Sequence, residues 1–290
     1  MIRFPPKRIL VAYDLTDVSR TAWRHASALA EACGAALEVV YVEPWLPGVD
    51  MMPPPVLTPS GARELRAQVR AEIGEGPKIR ILNGDPALRI VELAKRDRPD
   101  MIVVGTHGRK GLRRVMLGST AEAVIRSSPV PVLAARGKVR GIRSILAPVN
   151  FTPYSEYGLQ YAAAAAASLM AGLKVLHVTD DPIWSGNVGF RLSRLVHRLP
   201  EEVRKACRPE TESAVGEAVK GILKAKRGQD WVVLVAHGRS LIKDAFFGTT
   251  LEQVLRRSSV PVLSVPVPDR VLHALRVGEG ARPERSAHPG

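Results

Sequence analysis

"MIVVGTHGRKGLRRVMLGSTAEAVIRSSPVPVLAA", Met101–Ala135, decides the fold. It opens on MIVVG, a continuous apolar run without polar alternation. Such a run predicts a strand covered on both faces, as in a parallel sheet. A basic loop bracketed by Gly105, Gly108 and Gly118 follows. STAEAVIRSS then has helical spacing, opened by Ser119 or Thr120 with Glu122 in its first turn, and VPVLAA reads as another strand.

Upstream, the same alternation holds. RILVAY (Arg8–Tyr13) is a short apolar strand, and Thr16–Cys33 has helical spacing that stops at Gly34. ALEVVYV is a second strand, and the Pro- and Gly-rich stretch Pro44–Gly61 reads as a loop. ARELRAQVRAEIGE is an amphipathic helix and KIRIL alternates with period two. DPALRIVELAKRD is a helix with Asp85 as N-cap and Pro86 in its first turn. Five strands alternating with four helices predict a doubly wound α/β unit with a parallel sheet.

The unit is written twice. Arg8–Val42 matches Ser144–Val178 at an offset of 136, and Met101–Leu133 matches the region ending at Leu263 at an offset of 130. Two copies of this size are duplicated domains, expected at 1–137 and 141–268, with a linker at Arg136–Gly141 and a disordered tail at 269–290. The second unit's third strand, somewhere in CRPETESAV, is poorly written.

Bulk properties narrow the function classes. The chain has 290 residues, 46% of them hydrophobic, enough to bury two cores. Its two cysteines, Cys33 and Cys207, form no CxxC or Cys/His cluster, which argues against a disulfide framework or structural zinc and for a reducing, cytoplasmic setting. The N-terminus lacks the apolar core of a signal peptide, and the longest apolar tract, Ala162–Leu173, is too short to span a membrane. It reads as an alanine-rich buried helix. The net charge of +14 is spread over both halves and favours anionic ligands in general. With 5% aromatics there is no visible base-stacking platform, which weighs against a nucleic-acid partner.

In a doubly wound sheet, ligands sit beyond the carboxyl ends of the strands where the winding reverses. The first and fourth strands meet there, carrying YDLT (Tyr13–Thr16) and GTHGRKG (Gly105–Gly111). Gly105 is read as removing a Cβ that would hold a ligand off the backbone, and Gly108 as allowing a turn that exposes N–H groups to an anion. Gly118, Ser119 and Thr120 begin a helix whose unpaired N–H groups and dipole favour phosphate. Arg109, Lys110, Arg113 and Arg114 add positive charge, and Asp14 can accept hydrogen bonds from a ribose diol. Singly, each residue has a plainer role: glycines turn chains, and Ser119 can serve as an N-cap. Together they predict nucleotide binding.

The spacing Gly-x2-Gly-x9-Gly-Ser, after ILVAYD and before PVPVL, resembles the universal stress protein family in its tandem two-domain form, over roughly residues 7–135 and 143–266. The resemblance implies strand order 3-2-1-4-5 and ATP in the crevice, with Mg²⁺ arriving on its phosphates. It implies Asp14 on the ribose, Ala12 and Val42 along the adenine, and Gly105, His107, Gly108, Gly118, Ser119 and Thr120, with Arg109, around the phosphates. It further implies that the two units pair through their last strands, PVPVL and VPVLS, as a homodimer fused into one chain. Association of two such chains is left open.

The second copy departs twice: Asn150 stands at the place of Asp14, and Val235 at that of Gly105. Asn150 forfeits a charge-assisted bond. Val235 is read as a branched side chain where a ligand would touch the backbone, with no neighbour evidently relieving it. The expectation is ATP in the first unit and a weak or empty second site at Asn150, His237, Gly238, Gly248 and Thr249. The other reading has Val235 pointing into the sheet and both sites filled.

No Ser-His-Asp order, paired carboxylates or HExxH appears, so no catalytic residue is assigned; slow hydrolysis or self-phosphorylation stays open. Three functions remain in contention: an ATP-binding stress or regulatory protein with a protein partner, a nucleotide-independent scaffold of the same fold, and a basic nucleic-acid-associated protein.

Overall fold

The computed structural model describes residues 2–44, 57–106, 117–180, 185–236 and 249–268. The first unit runs β1 (Arg8–Ala12), α1 (Asp17–Cys33), β2 (Ala36–Glu43), α2 (Pro59–Ile73), β3 (Lys78–Asn83), α3 (Pro86–Asp97), β4 (Met101–Gly105), α4 (Ser119–Ser127) and β5 (Val132–Ala135). The second runs β6 (Ser144–Val149), α5 (Pro153–Ser168), β7 (Gly172–Thr179), α6 (Ser185–His197), α7 (Glu201–Cys207), β8 (Glu210–Val215), α8 (Ala218–Ala225), β9 (Trp231–Ala236), α9 (Thr249–Arg257) and β10 (Val262–Pro266). The expected tail, 269–290, lies outside the described residues.

The ten strands among the described residues form one sheet in the order β3-β2-β1-β4-β5-β10-β9-β6-β7-β8. Within each unit neighbours are parallel and the order is 3-2-1-4-5. The units join where β5 and β10 pair antiparallel, with Leu133 opposite Leu263. The last strands of the two halves therefore meet inside one chain, as a fused pseudo-dimer would require.

Strand parity sorts the side chains into two layers. One core holds Ile9, Val11, Met101 and Val103 with their second-unit counterparts, under α1, α2, α5, α6 and α7. The other holds Leu10, Ile102 and Val104 under α3, α4, α8 and α9. Each layer is continuous across the junction. The alanine-rich tract packs as expected, with Ala162, Ala163, Ala165 and Ala166 buried in α5.

Local chemistry sets the helix starts. Thr16 caps α1 through a reciprocal box with Ser19, and Asp85 caps α3 by accepting from Leu88 N at 2.8 Å. α2 begins three residues before the expected start, because Thr58 accepts from Gly61 N at 3.2 Å and Pro59 sits at the first helical position. Gly34, at φ 61°, ends α1 in the left-handed region. The second unit departs from the expected order by placing two helices, α6 and α7, before β8. β8 is an exposed edge strand carrying Glu210 and Glu212, so its apolar signal is faint.

Candidate functional site

β1 and β4 lie side by side, with Val11 opposite Val103, so their carboxyl ends open on one crevice. Asp14 stands there, exposed, its Oδ1 accepting from Thr16 N at 3.1 Å and Thr16 Oγ1 at 2.5 Å. This turn is fixed to the start of α1 by the Thr16–Ser19 box. Asn150 repeats the arrangement, accepting from Thr152 N at 3.3 Å and Thr152 Oγ1 at 2.7 Å. Both residues thus hold the same turn, and they differ in charge.

Ala12 is half-buried at the end of β1, and Val42 is buried near the end of β2. Val42 belongs to the α3/α4 layer, against which Ala12 packs. Tyr41, of opposite parity, donates to Glu43 Oε2 at 3.0 Å, and burial pushes its hydroxyl up to about 12. Tyr13 is buried beneath the crevice and donates to Glu72 of α2, which raises its pKa after burial has done the same. Arg20 grips Glu72 with Nε at 2.9 Å and Nη2 at 2.7 Å, holding that carboxyl below its ordinary range. This cluster pins α2 to α1 behind Asp14.

After β4, α4 opens with Gly118 as N-cap and Ser119 as its first helical residue, correcting the reading of Ser119 as a cap. α1, α2 and α3 each begin with a side chain accepting from the first turn, whereas α4 has no side-chain cap bond. Its first-turn donors face the crevice end of the sheet without a protein acceptor from a cap. Ser119 is exposed and Thr120 half-buried there. His107, Gly108 and Arg109, with Lys110, Arg113 and Arg114, lie outside the described residues, as do His237, Gly238 and Gly248. Thr249 is the first residue of α9.

The structure overturns the steric argument about Gly105 and Val235. A Cβ on Gly105 would press against α1, 2.7 Å from the Val18 carbonyl carbon and 2.6 Å from Val18 Cγ1. Gly105 is therefore required by close packing of α1 on β4, not by ligand approach. In the second unit the side chain of Val235 points at α5, into the space where a Cβ on Gly158 would be. Gly158 stands where α1 has Ala22, so the strand's added bulk is met by bulk removed from the helix. Val235 consequently does not close the second crevice; the described differences there are Asn150 for Asp14, Pro148 for Ala12 and Thr249 for Ser119. The sequence reading missed both Val18 and Gly158, although the Ala22-to-Gly158 change was visible in the aligned copies.

Among the described residues no group of three His, Cys, Asp or Glu side chains is placed to hold a metal ion. None of their helices is long and apolar enough to cross a membrane.

The universal stress protein family model matches residues 5–136 and again residues 141–266. The chain belongs to that family. A universal stress protein of Methanocaldococcus jannaschii is 36% identical over 145 residues, covering 45% of this chain and 82% of that one. Another, from Synechocystis, is 30% identical over 173 residues, 57% of each chain. The crystal structure of a universal stress protein from Archaeoglobus fulgidus is similar with a TM-score of 0.73 over 91% of this chain and 99% of that one, at 20% identity. At that identity the likeness speaks for the fold alone. This universal stress protein is of the tandem kind, with both halves in a single sheet.

Proposed function

We propose that the first unit binds ATP in the crevice between the ends of β1 and β4, and that occupancy of this crevice regulates contacts with a protein partner during stress. The reading rests chiefly on one observation: α4 alone among the first unit's described helices starts without a side-chain cap, at the end of the sheet that also presents the exposed carboxylate of Asp14. In this reading Asp14 takes the ribose diol, Ala12 and Val42 line the adenine, and Gly118, Ser119 and Thr120 present N–H and hydroxyl donors to phosphate. Gly105 contributes by letting α1 sit close, which sets the Asp14 turn. His107, Gly108 and Arg109 are assigned to the phosphates from sequence alone. Mg²⁺ would be carried by the phosphates, with few protein ligands.

The second unit is proposed as the weaker site, now on electrostatic grounds: Asn150 offers the same turn without the charge-assisted bond. No nucleophile or general base is assigned, and the protein is proposed as a binding and regulatory protein. Equilibrium dialysis with labelled ATP tests the reading. Wild type should retain nucleotide and Gly118→Val should lose most of it. Equal retention by both overturns the placing of phosphate at the start of α4, and none by wild type favours the nucleotide-independent scaffold. Steep salt-dependent retention on duplex DNA would instead support the nucleic-acid reading.

A further inference from the structure

Glu122 lies in the first turn of α4, the same turn proposed to receive phosphate. A carboxylate one turn from the mouth, about 5 Å along the axis, repels an incoming polyphosphate. That lies inside the roughly 8 Å over which charges are felt at physiological salt. Both of its oxygens are engaged. Oε1 accepts from Arg126 Nη2 at 2.8 Å within α4, and Oε2 accepts from Arg256 Nη2 at 2.8 Å. Arg256 belongs to α9 of the other unit, where it also holds Glu252 through Nε at 3.0 Å. These four side chains are only 21–34% exposed, so their charges are screened less than those of open surface pairs. Glu252 and Arg256 are the second-unit counterparts of Glu122 and Arg126. The duplication thus brings together two helical Glu–Arg pairs, and the Arg256 guanidinium crosses the junction.

We propose that Arg256 is a positioning residue for the first unit's nucleotide site. By neutralising Glu122 from across the junction it keeps the α4 mouth receptive to phosphate and makes the first site depend on the second unit. The inference rests on the nucleotide reading above and deepens it. Loss of Arg256 leaves Glu122 with Arg126 as its one partner among the described residues, while loss of both Arg256 and Glu122 leaves no carboxylate to repel the ligand.

ATP affinity of the full chain is to be measured for wild type, Arg256→Gln, Arg256→Lys and the double variant Glu122→Gln/Arg256→Gln. Arg256→Gln should weaken binding by about fivefold to tenfold. Arg256→Lys should stay near wild type, and the double variant should return to within about twofold of it. Arg256→Gln binding like wild type overturns the proposal, and so does a double variant as weak as the single one, because a purely structural loss is not rescued by removing the carboxylate. If Arg256→Gln fails to fold, Glu122→Gln decides: tighter binding supports the proposal and unchanged affinity overturns it. A wild-type chain that binds no ATP instead overturns the nucleotide reading itself, and this inference with it.

Discussion

At the residue scale, the two halves solve one packing problem in two ways. Where α1 approaches β4, the strand gives up its side chain at Gly105; where α5 approaches β9, the helix gives up its own at Gly158 and the strand keeps Val235. A Cβ at Gly158 cannot coexist with Val235 Cγ2 unless one of them shifts. Gly158→Ala should therefore destabilise the protein by about 1–3 kcal/mol, the usual cost of overpacking a core. Adding Val235→Ala should recover most of that loss in a denaturant-unfolding double-mutant cycle. Additive losses would show that the two residues do not share one space. Asp14 and Asn150 make the opposite point. Their turns are built alike, so the sequence difference between them is one of charge and not of geometry.

At the element scale, the same clamp appears with reversed charge. Arg20 of α1 holds Glu72 of α2, while Glu156, at the position matching Arg20, holds Arg198 just beyond α6 through Nη1 at 2.9 and 3.0 Å. Reversing Arg20 to Glu should lower the thermal midpoint by a few degrees, and Arg20→Glu/Glu72→Arg should restore part of it. No recovery in the double variant would mean that the clamp's charges do not pair as the structure places them. Elements were legible in the sequence where burial was continuous. MIVVG, with all four of its apolar residues buried, announces β4 without ambiguity. β8 was hard to place because Glu210–Ser213 are exposed on an edge, where no buried face imposes a pattern. The helix pair α6 and α7 was missed because the aligned copies diverge between the second and third strands. The crevice was legible as a meeting of β1 and β4 ends. The purpose of Gly105 was not, because the atom it avoids, on Val18, is close only in the folded chain.

At the scale of the whole molecule, the junction between units is built from β5 and β10 and fastened by buried polar contacts. Arg136 is 7% exposed and donates Nη1 to Ser258 O at 2.6 Å and Nη2 to Leu255 O, so it caps the end of α9 from the other unit. Burial lowers its pKa to about 10, and it stays charged at neutral pH. The Arg136 carbonyl is in turn bonded to Nε2 of buried His25 at 3.0 Å. Burial lowers the His25 pKa from 6.5, so the unfolded chain takes up a proton that the folded chain refuses. Stability from this group is therefore complete above about pH 6.5 and is lost as pH falls towards the lowered folded value. Thermal midpoints of wild type and His25→Gln should diverge in slope over that acid window and run parallel above it. Identical slopes throughout would remove His25 from the account.

The claim on which the functional account turns is that the first crevice grips ATP through the bare start of α4 and the Asp14 carboxylate. Isothermal titration of ATP into wild type and Asp14→Asn is the most direct measurement of it. The account predicts one dominant site per chain in wild type, and affinity for that site falling about tenfold or more when Asp14 is given the side chain found at position 150. No ATP heat from wild type, or equal affinity in the two proteins, would contradict it.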